Sequence, residues 1–157
     1  MNEELTKKLY EKYPTIFSDK DKPDTESLMC YGLDHGDGWY DIIDKLCEKL
    51  RLIERATGIK TIAEQVKEKF AGLCFYIRYE VADNTTIQEY DIEIWKSMIR
   101  DIISETESRS YSTCEDCGEY GKTYYRKTDG GIVRNAWHST LCKKCAEKLK
   151  YTEENIK

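Results

Sequence analysis

Four cysteines stand at the spacing of a metal site. Cys114 and Cys117 lie in Cys-Glu-Asp-Cys-Gly118, and 24 residues further on Cys142 and Cys145 lie in Cys-Lys-Lys-Cys. Each Cys-x-x-Cys turn offers two sulfurs from one tight loop. Two such knuckles supply the four soft thiolates that zinc takes in a tetrahedron at about 2.3 Å. Four cysteine ligands leave no open coordination position. The expected cofactor is therefore one structural zinc held by Cys114, Cys117, Cys142 and Cys145, adding folding free energy to a module with few apolar residues.

Two further stretches carry groups able to act on a ligand. In Gly32-Leu-Asp-His-Gly-Asp-Gly-Trp39, three glycines mark a tight turn with exposed backbone, and Asp34, His35 and Asp37 put three titratable groups in four residues. The turn opens a helix, whose N-terminus offers free N–H groups and a positive dipole to an anion. The plainer reading is that Asp37 caps the helix, Trp39 packs and the glycines permit the turn. On the strand Leu73–Glu80, Tyr76 beside Arg78 suits stacking on a base and pairing with a phosphate. Pairing of Arg78 with Glu80 or a helix carboxylate would consume that charge. The candidate ligand-binding set is His35, Asp37, Trp39, Tyr76 and Arg78. Trp137 is expected to pack under the zinc loops and His138 to face solvent. No phosphate-binding glycine loop, nucleophile elbow or His-Glu-x-x-His helix is present, so no catalytic residue is assigned.

The elements that must position these groups read as α+β. Asn2 caps a first helix carrying Leu5, Leu9 and Tyr13, ended by Pro14. Leu28–Tyr31 reads as a short strand. Trp39, Ile42, Ile43, Leu46, Leu50 and Ile53 trace one face of an amphipathic helix that Gly58 stops. Thr61–Gly72 fits either a helix, with Thr61 and Glu64 as capping box and Ile62, Val66 and Phe70 four apart, or a strand turning at Ala71-Gly72; the helix is favoured. Leu73, Phe75, Ile77 and Tyr79 alternate with Cys74, Tyr76, Arg78 and Glu80 along the clearest strand. Thr86 and Glu89 open a long helix with Ile87, Tyr90, Ile94, Trp95, Met98 and Ile102 on its apolar face. A Ser-rich connector, Ser104–Thr113, leads to the first knuckle. Strands Thr123–Lys127 and Ile132–Ser139 meet at Asp129-Gly130-Gly131, and Ala146–Leu149 is a short helix. The expected division is an α+β domain over 1–110, a small sheet packed by three or four helices; a zinc ribbon over 111–150; and a frayed tail over 151–157.

Charge bounds the partners. The net charge is −5, and from Tyr111 onward nine Lys and Arg face seven Asp and Glu, against 16 and 23 in the rest of the chain. A duplex-binding protein shows a basic face, and this chain shows none. Nucleic acid is thus a less expected partner than a small anion held by two or three cations. Cys30, Cys47 and Cys74, outside the quartet, read as small core residues in a reducing cytosol. The N-terminus lacks a basic segment and apolar run, and no stretch reaches membrane-spanning length.

Gly36-Asp-Gly-Trp39 followed by Asp41–Leu46, then Gln65–Tyr76, the Cys-Glu-x-Cys-Gly knuckle and Trp137-His-Ser-Thr-Leu-Cys142, resembles a family of small uncharacterised proteins carried by tailed bacteriophages and prophages. The resemblance spans about Tyr13 to Cys145. That family usually reads Lys-Phe-Gly-Gly-Leu-Arg-Phe-Tyr where this chain has Lys69-Phe-Ala-Gly-Leu-Cys-Phe-Tyr76, so Cys74 stands at an arginine position. The resemblance implies an accessory protein in the cytoplasm of a bacterial host. The expected function is non-enzymatic: countering host defence by sequestering a nucleotide-type signal or by binding a host protein. The alternatives are a zinc-ribbon nucleic-acid or transcription-associated factor, with Arg126, Lys127 and Arg134 along its hairpin, and a small hydrolase using Asp34, His35 and Asp37.

Overall fold

A computed structural model describes residues 1–82, 87–128, 131–132 and 138–153. The fold is α+β, as expected. Helix α1 (Glu3–Lys12) is capped by Asn2, whose Oδ1 accepts from the Leu5 N–H at 2.9 Å. Helix α2 (Tyr40–Thr57) turns Ile42, Ile43, Leu46, Cys47, Leu50 and Ile53 inward and ends at Gly58, with φ of +74°. Three strands form the body sheet in the order β1 (Leu33–Asp34), β2 (Ile59–Lys69), β3 (Gly72–Val81); β1 runs parallel to β2, and β3 antiparallel to it. Helix α3 (Glu89–Ser110) packs on α2 and β3. One continuous core joins α1, α2, the sheet and α3 around the fully buried Trp39, Phe17, Ile43, Leu46 and Ile99.

The helix favoured over Thr61–Gly72 is instead strand β2 and its turn. A β-bulge at Glu64 explains why the sequence misleads. Ala63 faces Ile77 and Val66 faces Phe75, so both stand on the core face although three positions apart. The extra residue breaks the period-two signal, so that Ile62 and Val66, four apart as on one helix face, stand on opposite faces of the strand. Long-range pairing with β3 overrides the local capping box. Ile62 lies opposite Arg78 on the other face, and Phe70 is exposed at the hairpin tip. Phe70 and Ala71 both take positive φ, 55° and 62°. L-residues adopt that conformation at a cost of roughly 1–2 kcal/mol each. Two hydrogen bonds hold Ala71 there: its N–H donates to Glu68 Oε1 at 2.6 Å, and its carbonyl accepts from Thr140 Oγ1 at 2.7 Å.

Other local expectations also change. Leu28–Tyr31 is a 3₁₀ turn, because Ser27 Oγ accepts from the Met29 N–H and starts a turn rather than a ladder. Helix α3 continues through the Ser-rich run to Ser110. Its buried face carries Ile99, Ile103, Thr106 and Ser110, with Ile92, Trp95 and Ile102 packed alongside, while Tyr90, Ile94 and Met98 remain exposed. Polar side chains extend this buried face toward the end of the helix. The Glu107 carboxylate accepts from the Phe75 N–H, and Ser110 Oγ from the Leu73 N–H, both at 2.8 Å. The helix thus turns hydrogen-bonding side chains to the outer edge of β3, where unpaired donors need them. Its N-cap is Gln88, without a side-chain bond; Thr86 lies outside the described residues. Of the three unpaired cysteines, Cys47 is a core residue, but Cys30 is exposed and Cys74, on the outer face of β3, is half-buried.

The C-terminal ribbon is built on β4 (Lys122–Thr128), which pairs with β5 (Gly131–Ile132), β6 (His138–Leu141) and β7 (Tyr151–Thr152). Helix α4 (Lys143–Leu149) begins within the second knuckle, with Cys142 as its N-cap. The tail is not wholly frayed. Tyr151 and Thr152 pair with Arg126 and Tyr125, and Lys122 meets the Glu153 carboxylate at 2.8 Å. Asp129, Gly130, Arg134 and Trp137 lie outside the described residues. Among the described residues no helix is long and apolar enough to cross a membrane.

Candidate metal centre and its seat on the glycine turn

The cysteines converge from two knuckles, the first in the loop after α3 and the second at the start of α4. The sulfurs of Cys114, Cys117, Cys142 and Cys145 all lie within 4.8 Å of one another, and Cys117 and Cys142 are 3.7 Å apart. A tetrahedron with metal–sulfur bonds of about 2.3 Å has edges of about 3.8 Å. The donor set thus fits one tetrahedral ion. Cys114 and Cys145 are buried, Cys142 is partly covered and Cys117 is exposed. The Cys145 N–H donates to Cys142 Sγ at 3.4 Å at the N-terminus of α4, and chiefly for that reason the Cys142 thiol is held down at about 7. Burial pushes the Cys117 and Cys145 thiols up. Four thiolates this close need a cation to become simultaneously stable, and a divalent ion supplies the charge.

The glycine turn is the seat of this centre. The Gly38 N–H donates to the Glu115 carbonyl at 2.8 Å, and the Gly36 N–H to Glu115 Oε1 at 3.1 Å. Trp39, fully buried, donates from Nε1 to the Thr113 carbonyl at 2.8 Å. The two backbones touch. A Cβ on Gly38 would stand 2.1 Å from the Cys114 carbonyl oxygen and 2.3 Å from the Gly118 nitrogen; one on Gly36 would stand 2.3 Å from the Glu115 carbonyl oxygen. The glycines at 36 and 38 are therefore required for close approach to the first knuckle. The junction extends to β6, where the Thr140 carbonyl accepts from the Glu115 N–H at 2.8 Å and the Thr140 hydroxyl bonds Ala71. The body and ribbon keep separate hydrophobic clusters, joined by this polar seam.

The proposed ligand residues are dispersed and engaged. His35 is 7% exposed, its Nδ1 is 2.9 Å from the Gly36 carbonyl and its ring packs 5.6 Å from Trp39. Burial lowers its pKa to about 4. Asp37 does not cap α2. Its carboxylate accepts from the Asn2 backbone N–H and from Asn2 Nδ2, both at 2.7 Å, which holds it below the ordinary aspartate range. Trp39 has no exposed surface to offer a ligand. Arg78 is spent on Asp19 at 2.8 Å, a carboxylate whose side chain is 5% exposed, and on Glu80 at 2.9 Å. Tyr76 is the exception: it stays 44% exposed, with Lys67 Nζ 5.9 Å from its ring centre. Asp34 is exposed at the end of β1, opposite Lys67, and Arg126 is exposed on β4. His138, expected in solvent, is half-buried between Phe70 and Tyr125, because the β2–β3 hairpin tip leans on the ribbon.

Sequence reasoning passed over Glu115, Thr140 and Asp19. The first two act across the seam and the third neutralises Arg78. One signal pointed to the seam: two glycines alternating with polar residues just before a tryptophan suit backbone-to-backbone packing as well as a ligand loop. No family model, no curated protein and no solved structure matches the chain.

Proposed function

We propose that the chain is a zinc-clamped binding protein without a catalytic centre, made by a bacteriophage and acting on a host protein in the cytoplasm of the infected bacterium. Its phage origin is what the resemblance of the motifs implies. Zinc is the ion that a closed set of four cysteine sulfurs suits best, and it serves to hold the ribbon to the glycine turn. One observation carries the choice of a protein target over a nucleotide. The groups that a nucleotide would need, the turn N–H groups of Gly36 and Gly38, Trp39 and Arg78, are each taken up inside the fold. Side chains suited to protein contact remain exposed instead, among them Tyr90, Ile94 and Met98, which form one stripe of α3.

Three measurements test this. Calorimetric titration against a panel of linear and cyclic nucleotides is expected to give no heat. Chromatography with light scattering on mixtures with purified host proteins is expected to give one complex of fixed stoichiometry. Stoichiometric nucleotide binding would replace this reading with sequestration of a signal. Atomic emission on the purified protein is expected to find one zinc per chain.

A further inference from the structure

On the outer face of the body sheet, opposite the core, the connector before the 3₁₀ turn leaves a groove of about 380 Å³. Its floor is a directly opposed cross-strand pair, Gln65 on β2 and Tyr76 on β3. Its walls carry Leu28 and the carboxyl side chains of Asp24, Glu26 and Glu64. Leu28 and Tyr76 are 41% and 44% exposed, so the groove presents apolar surface. The bulge that upset the reading of β2 falls on Glu64. It sets Glu64 beside Gln65 on the groove, where regular alternation would not place both.

Charge selects the occupant. Three carboxyl groups line the groove and no Lys or Arg does; Lys67 stands beside the Tyr76 ring, outside that lining. Among the described residues neither Glu26 nor Glu64 has an ion pair, unlike Asp19, which is engaged by Arg78 and Lys22. An anionic ligand is repelled here. A single metal ion is not accommodated either, since the cysteine quartet is the one group of described side chains that converges closely enough to hold one. Carboxylates spread along an aromatic and aliphatic floor match cations spaced along a chain, with apolar stems between them.

We propose that this groove docks an extended segment of a partner protein containing Arg or Lys side chains, with their stems over Leu28 and Tyr76 and their charged ends on Glu26, Glu64 and Asp24. The proposal rests on the protein-target reading and names the chemistry of that target. The acidic body, which carries the whole net negative charge of the chain, steers such a segment toward the groove.

The test uses the full chain and fluorescein-labelled twelve-residue peptides: one alternating Arg and Leu, and one with Glu in place of Arg. Binding is read by anisotropy at low and at moderate salt. The Arg-Leu peptide is expected to bind and the Glu-Leu peptide not to bind. The paired change Glu26→Gln with Glu64→Gln is expected to weaken binding about tenfold, and Tyr76→Ala to weaken it as well. The control pair Glu89→Gln with Asp101→Asn, exposed on α3, should leave it unchanged. Equal loss in both pairs would reduce the effect to overall charge and overturn the proposal. So would spermidine binding as tightly as the peptide, which would assign the groove to small polycations. A stoichiometric host-protein complex that forms undiminished with the groove variants would overturn the groove while sparing the protein-target reading. Nucleotide heat with no such complex would overturn both.

Discussion

The glycine turn and the outer groove each hold acidic and aromatic residues. Folding treats them oppositely. At the turn, backbone meets backbone, the N–H groups of Gly36 and Gly38 are satisfied by Glu115, and Trp39 is sealed beneath. At the groove, Tyr76 and Leu28 stay exposed, and Glu26 and Glu64 have no cation partner among the described residues. Glycine density therefore marks where the chain touches itself, whereas the site still able to bind is marked by side chains with no internal partner.

The largest effect is expected at the metal. Cys114→Ser removes one of four ligands and leaves three sulfurs to carry the centre. Structural zinc contributes on the order of 10 kcal/mol to small modules, so loss of bound metal and melting of residues 111–153 are expected. Atomic emission and circular dichroism check this; one retained equivalent of zinc would show that the quartet is not the site. Gly38→Ala comes next. Its Cβ would lie 2.1 Å from the Cys114 carbonyl oxygen and 2.7 Å from the Cys117 nitrogen, all backbone that cannot swing aside. A cost of about 3 kcal/mol is expected in denaturant titration, at the upper end for overpacking, with weaker metal retention in a chelator competition. A cost below about 1 kcal/mol would mean that the seam is loose and that the turn is free to meet a ligand.

His35 sharpens the comparison through pH. Its pKa falls from the ordinary 6.5 to about 4 because the folded state buries the ring. Between those values the unfolded chain binds the extra proton, so stability rises with pH in that window and is lost as pH falls from 6.5 toward 4. A shift of this size corresponds to at most about 3 kcal/mol. Replacing His35 with Gln is expected to flatten this part of the stability–pH curve relative to the unsubstituted protein, both measured by urea titration at several pH values in saturating zinc so that any metal release is common to the two. An unchanged slope would show that the imidazole is not sealed under the seam.

What could be read from the sequence is what depends on neighbours along the chain. The Cys-x-x-Cys spacings, the apolar face of α2 with its Gly58 stop, and the alternation along Leu73–Glu80 are local patterns, and the structure keeps all three. What escaped depends on partners far away in sequence. Gly36 and Gly38 meet Glu115 across more than 70 residues, and no periodicity records such a contact. The bulge at Glu64 hid a strand because one inserted residue puts Ala63 and Val66, three apart, on the same face and so breaks the period of two. By apolarity alone, Tyr90, Ile94 and Met98 of α3 are expected inward. The structure instead buries Thr106 and Ser110, with Ser110 bonding an edge donor of β3. Ile92, Trp95, Ile99 and Ile103 mark the buried face at helical spacing, and hydrogen bonding extends it to Ser110, where hydrophobicity gives no signal.

The hairpin tip and the groove set the lower end of the scale. Ala71→Gly relieves a positive φ worth roughly 1–2 kcal/mol and gives up one buried methyl worth about 0.8 kcal/mol. A net gain of about 0.5 kcal/mol is expected in urea titration, and a net loss would mean that the methyl contact outweighs the strain. Smallest of all is Tyr76→Ala. A side chain this exposed, with no hydrogen bond to a neighbouring element, is expected to change stability by no more than about 0.5 kcal/mol. The groove substitutions should therefore be silent in unfolding and audible only in binding, the reverse of the glycine turn. A loss above about 2 kcal/mol for Tyr76→Ala would erase the distinction. The ring would then be holding the Asp24–Leu28 connector to the sheet, and the groove would be a gap in packing rather than a surface kept open.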